Sequence, residues 1–194
     1  MTEIWLVRHG ATDWNLQGRY QGQADIPLNS VGLEQARAMA DKLATENVVA
    51  IYSSSLQRAR QTAQALADRV GLPVHTDPRL QEVSLGKWEG QLFTDIHQRF
   101  PELIAERRAN PIYFRPPDGE TVAEVVERAV AAVNEIASAH PEGPVVIVSH
   151  GLTLATLICL ARQHSLRQSF DMLPPNAIPE KIEWSLERQP VQLK

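Results

Sequence analysis

The sequence is short of cysteine, of long apolar runs and of clustered positive charge, and each shortage narrows what the chain can do. Its single cysteine, Cys159, stands in an apolar stretch without a partner, which excludes a disulfide scaffold and points to a reducing compartment. Nowhere do about 18 apolar residues follow one another, as a membrane-spanning helix requires, and no basic segment leading into an apolar run opens the chain. The expectation is a cytoplasmic protein with no membrane partner. A formal charge of -4, with lysines and arginines scattered, offers no basic stripe and disfavours a nucleic-acid partner. The 194 residues fit one domain, 1–194, large enough to bury its own core, as a monomer or homodimer.

What is present is organised around Leu6-Val7-Arg8-His9-Gly10, where an apolar run stops at an arginine and a histidine followed by glycine. A continuous hydrophobic run bounded by a glycine turn reads as a strand covered on both faces. In an open α/β sheet the carboxyl ends of the strands line the ligand crevice, which places Arg8 and His9 at the mouth of a site. Gly10 would let backbone approach a ligand with no Cβ in the way. Alone, the pair would read as strand-end polar residues in water. A second apolar run, Val145-Val146-Ile147-Val148, ends the same way in Ser149-His150-Gly151, and that repetition favours a shared site.

The rest of the chain supplies the alternation of an α/β fold. Residues 10 to 29 lack helical period and predict a long polar loop, of the kind that is usually functional. Ser30 offers a cap for a helix over about 31–45, followed by a strand at 48–52 and a helix at 56–70 closed by Gly71. A short strand at 74–76 leads into a glycine-dense segment holding Glu82 and Glu89. Residues 92 to 109 are helical in composition, interrupted at Pro101, and lead to a loop with Pro111, Pro116 and Pro117. Residues 92–119 therefore read as a helical insertion over the site. A strong helix follows from Thr121 to about Ala139, then a strand at 144–149, a buried helix at about 152–162 and an edge strand carrying Ile182, Trp184 and Leu186. The predicted fold is a three-layer α/β/α sandwich around a mainly parallel sheet.

By topology Arg8, His9, Arg58 and His150 meet on one face. Arginine forks and a histidine suit a phosphate dianion. Arg58 also lies in a helical first turn, where a cation opposes the helix dipole and a bound anion would explain its position. Phosphate monoester hydrolysis requires up to ~10²¹-fold acceleration, roughly 28 kcal/mol, which no single residue supplies. Arg8, Arg58 and a protonated His150 could clamp the phosphoryl oxygens without a metal. His9, with one ring nitrogen held by a hydrogen bond, could accept the phosphoryl group on the other. A carboxyl group must protonate the leaving alkoxide, and spacing alone leaves Glu82 and Glu89 as alternatives.

Taken together, Arg8-His9-Gly10, Asn15, Gly18-Arg19, Gln21-Gly22, Pro27-Leu28, Ser55-Leu56-Gln57-Arg58-Ala59, Thr62-Ala63, Leu80 with Glu82, Trp88-Glu89-Gly90 and Ser149-His150-Gly151 resemble the histidine phosphatase superfamily, in its phosphoglycerate-mutase-like branch. The likeness runs in order from residue 4 to about 160. It implies His9 as nucleophile, Arg8, Arg58 and His150 as phosphate ligands, and Glu82 rather than Glu89 as proton donor. It further implies that Asn15, Gln21, Gly22 and the Gly151 backbone meet the phosphoryl group or substrate, and that no cofactor or metal is needed. Mutases of this group carry arginine, histidine and tyrosine after the catalytic glutamate. Val83-Ser84-Leu85 stand here instead, so the chain resembles the broad-specificity and α-ribazole-type phosphatases more closely. Their C-terminal Asn-x-Ser turn is only half matched by Asn176-Ala177-Ile178-Pro179, and Asn176 receives no role.

The expected activity is a phosphomonoesterase acting on a small phosphorylated metabolite. Phosphoglycerate mutase activity through the same intermediate is the alternative. A metallohydrolase has no supporting ligand motif, and an inactive binding module is disfavoured by the intact set of site residues. His75, His97, His140 and His164 read as structural or solvated. Trp14 and Tyr20 read equally as pocket lining or as loop anchors. Arg107, Arg108 and Arg115 of the insertion read equally as ligands for a substrate carboxylate or as a basic face in water.

Overall fold

A computed structural model describes residues 1–186. In chain order its elements are β1 (Thr2–Arg8), α1 (Asp13–Gln17), α2 (Ser30–Leu43), β2 (Ala50–Ser54), α3 (Gln57–Val70), β3 (Val74–Asp77), α4 (Phe93–Arg99), α5 (Pro101–Ala109), α6 (Val122–Ala139), β4 (Val145–Ser149), α7 (Gly151–Ala161) and β5 (Pro179–Trp184). Short 3₁₀ turns lie at Pro78–Leu80, Gly86–Trp88 and Leu166–Gln168. The five strands form one sheet in the order β3-β2-β4-β1-β5. Four run parallel, and β5 pairs antiparallel to the outer side of β1, as an edge strand. No helix among the described residues is long and apolar enough to cross a membrane.

Alternation along the central strands divides the core into two layers, as covered parallel strands require. Ile4, Leu6, Val145 and Ile147 pack with α6 and α7 through Val133, Ile136, Leu154 and Leu157. Val7, Val146 and Val148 face the opposite way onto Met39 and Leu43 of α2 and Ala63 and Leu66 of α3. All five residues of β4 are buried, consistent with its place at the centre of the sheet. A third apolar cluster lies outside these layers. In it Val83, Trp88, Ile96, Ile104 and Phe114 anchor the insertion onto Val125 of α6 and Cys159 of α7. The lone cysteine is therefore core.

Registry brings the site to one edge. Arg8 pairs with Ser149, and Val148 lies between Val7 and Ser53, so β1, β2 and β4 end level with one another. His9, Ser54 and His150 emerge side by side at that edge.

The structure departs from the sequence expectations at four local points. The 10–29 loop contains α1, capped by Thr12, whose side chain accepts from Asn15 N while the Asn15 side chain closes the reciprocal bond of a capping box. Asn29 rather than Ser30 caps α2, accepting from Gly32 N at 2.9 Å. Helical spacing puts Leu33 in line with Ala36, Ala40 and Leu43, but the buried stripe of α2 uses Gly32 and Met39 and leaves Leu33 exposed, because the helix seats Gly32 against the backbone of Ala11. The last strand ends at Trp184, and Leu186 is half exposed. Gly10 also has a different role. A Cβ there would sit 2.5 Å from the Gly32 carbonyl oxygen, so the close approach it permits is to the α2 backbone and not to a ligand.

Gly10→Ala should therefore lower stability by about 1–3 kcal/mol, since backbone meets backbone and no flexible side chain can move aside. Urea unfolding measures it, and an unshifted midpoint would show that this contact does not constrain the loop.

Candidate active site

His9 leaves the end of β1 with its ring buried, and Nδ1 lies 2.7 Å from the Gly10 carbonyl oxygen. A carbonyl only accepts, so Nδ1 carries the proton and Nε2 keeps its lone pair. That lone pair accepts the Nε–H of Arg58 at 3.2 Å. Arg58 is fully buried, and its remaining donors go to the Ala24 oxygen at 2.7 Å and the Gly22 oxygen at 2.8 Å. The guanidinium thus ties the 22–24 loop to His9 Nε2, where the sequence leads one to expect an open fork. Burial lowers the Arg58 pKa to about 10, partly countered by Glu82, so the group stays charged at neutral pH.

His150 follows β4, fully buried, with its ring centroid 5.2 Å from that of His9. Its Nε2 meets Ser54 Oγ at 2.7 Å, and its Nδ1 is buried without a hydrogen-bond partner among the described residues. Arg8 holds the Pro174 oxygen with Nη1 at 3.0 Å, and its Nε is likewise buried and unpartnered. Buried polar groups are normally satisfied. Two orphan nitrogens beside one imidazole therefore identify a place suited to an acceptor. Burial, reinforced by the Arg58 charge, holds both imidazoles well below the ordinary histidine value.

Glu82 reaches the site from the segment after β3. Its carboxylate accepts from the Leu152 and Thr153 backbone N–H groups at the start of α7, and from the Thr153 hydroxyl. The segment itself is held by Arg128 of α6, which donates to the oxygens of Arg79, Gln81 and Glu82 and pairs with Glu120 at 2.9 Å. Glu89, the alternative acid, accepts from the backbone N–H groups of Gln23 and Leu85 and stands beneath Gly22, where a Cβ would collide with it. It does not line the cavity. The geometry thus separates two acids that spacing could not.

A cavity of about 160 Å³ is lined by Arg8, His9, Asn15, Gln21, Gly22, Arg58, Glu82 and Gly151 among others. Every expected site residue is in this wall except His150, whose ring centroid lies 5.2 Å from that of His9. Asn15 uses its oxygen on the Thr12 N–H at 3.1 Å, leaving its amide nitrogen for the cavity. Gly151 begins α7 against the Arg8 guanidinium. Residues without an assigned role also appear. Asn176 donates to the His9 oxygen at 2.7 Å, fixing the backbone of the histidine, and Thr62 accepts the Gly10 N–H. Ser54 and Arg128 carried no motif signal beyond a hydroxyl at a strand end and a charge on an amphipathic helix. Arg115 is drawn away from any substrate, donating to Glu124 at 2.7 Å and to the Gly119 oxygen. Among the described residues no group of three or more His, Cys, Asp or Glu side chains gathers to hold a metal ion.

The sequence profile of the histidine phosphatase superfamily (branch 1) matches residues 4–193. The Yersinia pestis (strain Pestoides F) protein named Probable phosphoglycerate mutase GpmB is 34% identical over 158 residues, covering 81% of this chain and 74% of that protein. A mycobacterial glucosyl-3-phosphoglycerate phosphatase complexed with VO3 superposes with a TM-score of 0.88 at 32% identity, covering 96% of this chain and 94% of the other. The α-ribazole phosphatase from Shigella flexneri gives 0.85 at 27% identity, covering 95% and 91%.

The depressed imidazoles make stability fall in acid. Below the ordinary histidine value of 6.5 the unfolded chain binds protons that folded His9 and His150 refuse. Each contributes a slope on the order of 1 kcal/mol per pH unit, lost as pH falls from there toward the folded-state values. Urea unfolding between pH 7 and 5.5 should show this slope, and His9→Asn should make it shallower by about one proton. Equal slopes in the two proteins would contradict the assignment.

Proposed function

The chain belongs to the histidine phosphatase superfamily (branch 1), and on that premise we propose that it hydrolyses phosphomonoesters of small metabolites through a phosphohistidine on His9. One observation carries the reading: the Nδ1–H···O bond to Gly10 leaves His9 Nε2 as a free base in a cavity shared with Arg8, Arg58 and Glu82. The phosphatase structures at TM-scores of 0.85 to 0.88 support it. The partner is a small phosphorylated metabolite in a cytoplasmic setting, and no step draws on a cofactor.

In the first half-reaction the Nε2 lone pair attacks phosphorus in line with the ester oxygen. The N–P bond forms, the P–O bond to the alcohol breaks, and a protonated Glu82 gives its proton to the departing alkoxide. In the second, Glu82 takes a proton from water, the water oxygen attacks phosphorus, and the N–P bond breaks to release inorganic phosphate and restore His9. Arg58 must release Nε2 for the attack, and its Nε–H is then free to hold a phosphoryl oxygen. The unpartnered Arg8 Nε and His150 Nδ1 supply the further donors, acting on the non-bridging oxygens. Leu56 N–H already donates to Ser54 Oγ, and the Ser54 hydroxyl proton is available to His150 Nε2. With Ser54 donating to Nε2, the imidazole proton stands on Nδ1, and His150 donates to the anion while neutral.

Mutase activity is the second reading, favoured by the 34% identity to the protein named a phosphoglycerate mutase. Interconversion of 2- and 3-phosphoglycerate would reveal it.

Turnover of 4-nitrophenyl phosphate should persist in chelator. A rapid quench in base should trap acid-labile label from a ³²P-phosphomonoester on His9. His9→Asn should lose the label and about 10³-fold or more of kcat. Glu82→Gln should keep the label while kcat on a poor alkoxide leaving group falls by about 10²–10⁴-fold. Undiminished turnover by His9→Asn would remove the nucleophile assignment.

A further inference from the structure

Beside the catalytic cavity lies a second and larger one, of about 470 Å³. Tyr20, Phe93, Arg107 and Phe170 line both, so the two spaces share a wall and are not separate features of the surface. Volume alone divides their tasks. The catalytic cavity falls below the roughly 300–1,000 Å³ typical of small-molecule sites, whereas the neighbouring one lies within that range. The first suits a phosphoryl group with its immediate ester carbon. The second is where the remainder of an alcohol would extend.

The chemistry of the second wall is of two kinds. Its body is apolar and largely aromatic, with Ile104 and Pro111 beside the rings of Tyr20, Phe93 and Phe170. Its rim holds the guanidinium groups of Arg107, Arg108 and Arg167 against a single lining carboxylate, Asp171. Arg107 is fixed in place, donating to the Tyr20 hydroxyl at 3.2 Å and lying over the Phe170 ring at 4.8 Å. None of the three forms an ion pair with a described carboxylate, in contrast to Arg79, Arg115 and Arg128, each of which does. Flat apolar walls favour a planar apolar body through area burial and offset stacking. Unneutralised guanidinium groups around that body favour a carboxylate or phosphate.

Resting on the phosphomonoesterase reading above, we propose that this second cavity is the leaving-group subsite and selects phosphomonoesters whose alcohol has a flat apolar body and an anionic group at its far end. Catalysis and selection are then separate tasks. Residues at the strand ends perform the transfer, and the α4–α5 insertion with the 167–171 segment reads the leaving group.

The test compares phenyl phosphate, 2-naphthyl phosphate, 6-carboxy-2-naphthyl phosphate and the 2,6-naphthyl bisphosphate, whose leaving groups have similar basicity. The second ring should lower KM by about fivefold or more, since each buried CH₂ equivalent contributes about fourfold. The far carboxylate or phosphate should lower KM by a further few-fold, typical of a partly exposed ion pair, and whichever gains more identifies the anion. Arg108→Glu with Arg167→Glu should raise KM for the anionic esters by about tenfold while moving the neutral naphthyl ester far less. Arg108→Glu alone should shift the same ratio in the same direction. Equal KM for phenyl and naphthyl esters, or an equal effect of the charge reversals on all four, would overturn the subsite. Hydrolysis of none of the esters, with no label on His9, would instead overturn the phosphomonoesterase reading on which it rests.

Discussion

The 2.7 Å bond from His9 Nδ1 to the carbonyl of its own neighbour, Gly10, is the constraint on which the site depends. It fixes the tautomer without a carboxylate, so His9 Nε2 carries no proton and no adjacent acid competes for one. Glycine at position 10 lets the same peptide pass over Gly32, where a Cβ would sit 2.5 Å from the carbonyl oxygen. Thr62 receives the Gly10 N–H and Asn176 donates to the His9 oxygen, so two distant segments hold one peptide. Burial then keeps the ring neutral.

Arg58 adds a second organising device. Its guanidinium bonds His9 Nε2 on one side and the 22–24 loop on the other, so the loop beside the pocket is registered on that nitrogen. The same logic applies to Glu82, which has no helix or strand of its own. Arg128 grips the carbonyls of Arg79, Gln81 and Glu82, and the start of α7 orients the Glu82 carboxylate. Positioning of this kind is inexpensive in side-chain freedom, because most of the donors and acceptors are backbone groups already fixed by the sheet and helices. The nitrogens Arg8 Nε and His150 Nδ1 are the counterpart, buried with no hydrogen-bond partner among the described residues.

Much of this was legible in the chain itself. Apolar runs that end in Arg-His-Gly and Ser-His-Gly marked strands and their functional ends, because a covered parallel strand tolerates polar side chains only where it leaves the sheet. Helix caps and stripes placed α3, α6 and α7 within a residue or two. The short α1 was hidden because its polar residues show no apolar period, and its cap box became recognisable only as geometry. Gly10 was read as an approach to ligand because a glycine signals nearness of something, while its identity, here the α2 backbone, depends on how two segments meet.

The sequence by itself determined the order of strands and helices, the family, and the residue types at the site, since these follow from local periodicity and from short motifs at strand ends. Tertiary packing alone decided that Glu82 faces the cavity while Glu89 braces the loop beneath Gly22. It also decided that Arg115 is consumed by Glu124 while Arg107 is displayed over Phe170, and that Ser54 meets His150. The physical reason is common to all of them. A side chain's role depends on which partner reaches it first across a gap of a few ångströms, and those partners lie dozens of residues away in the chain.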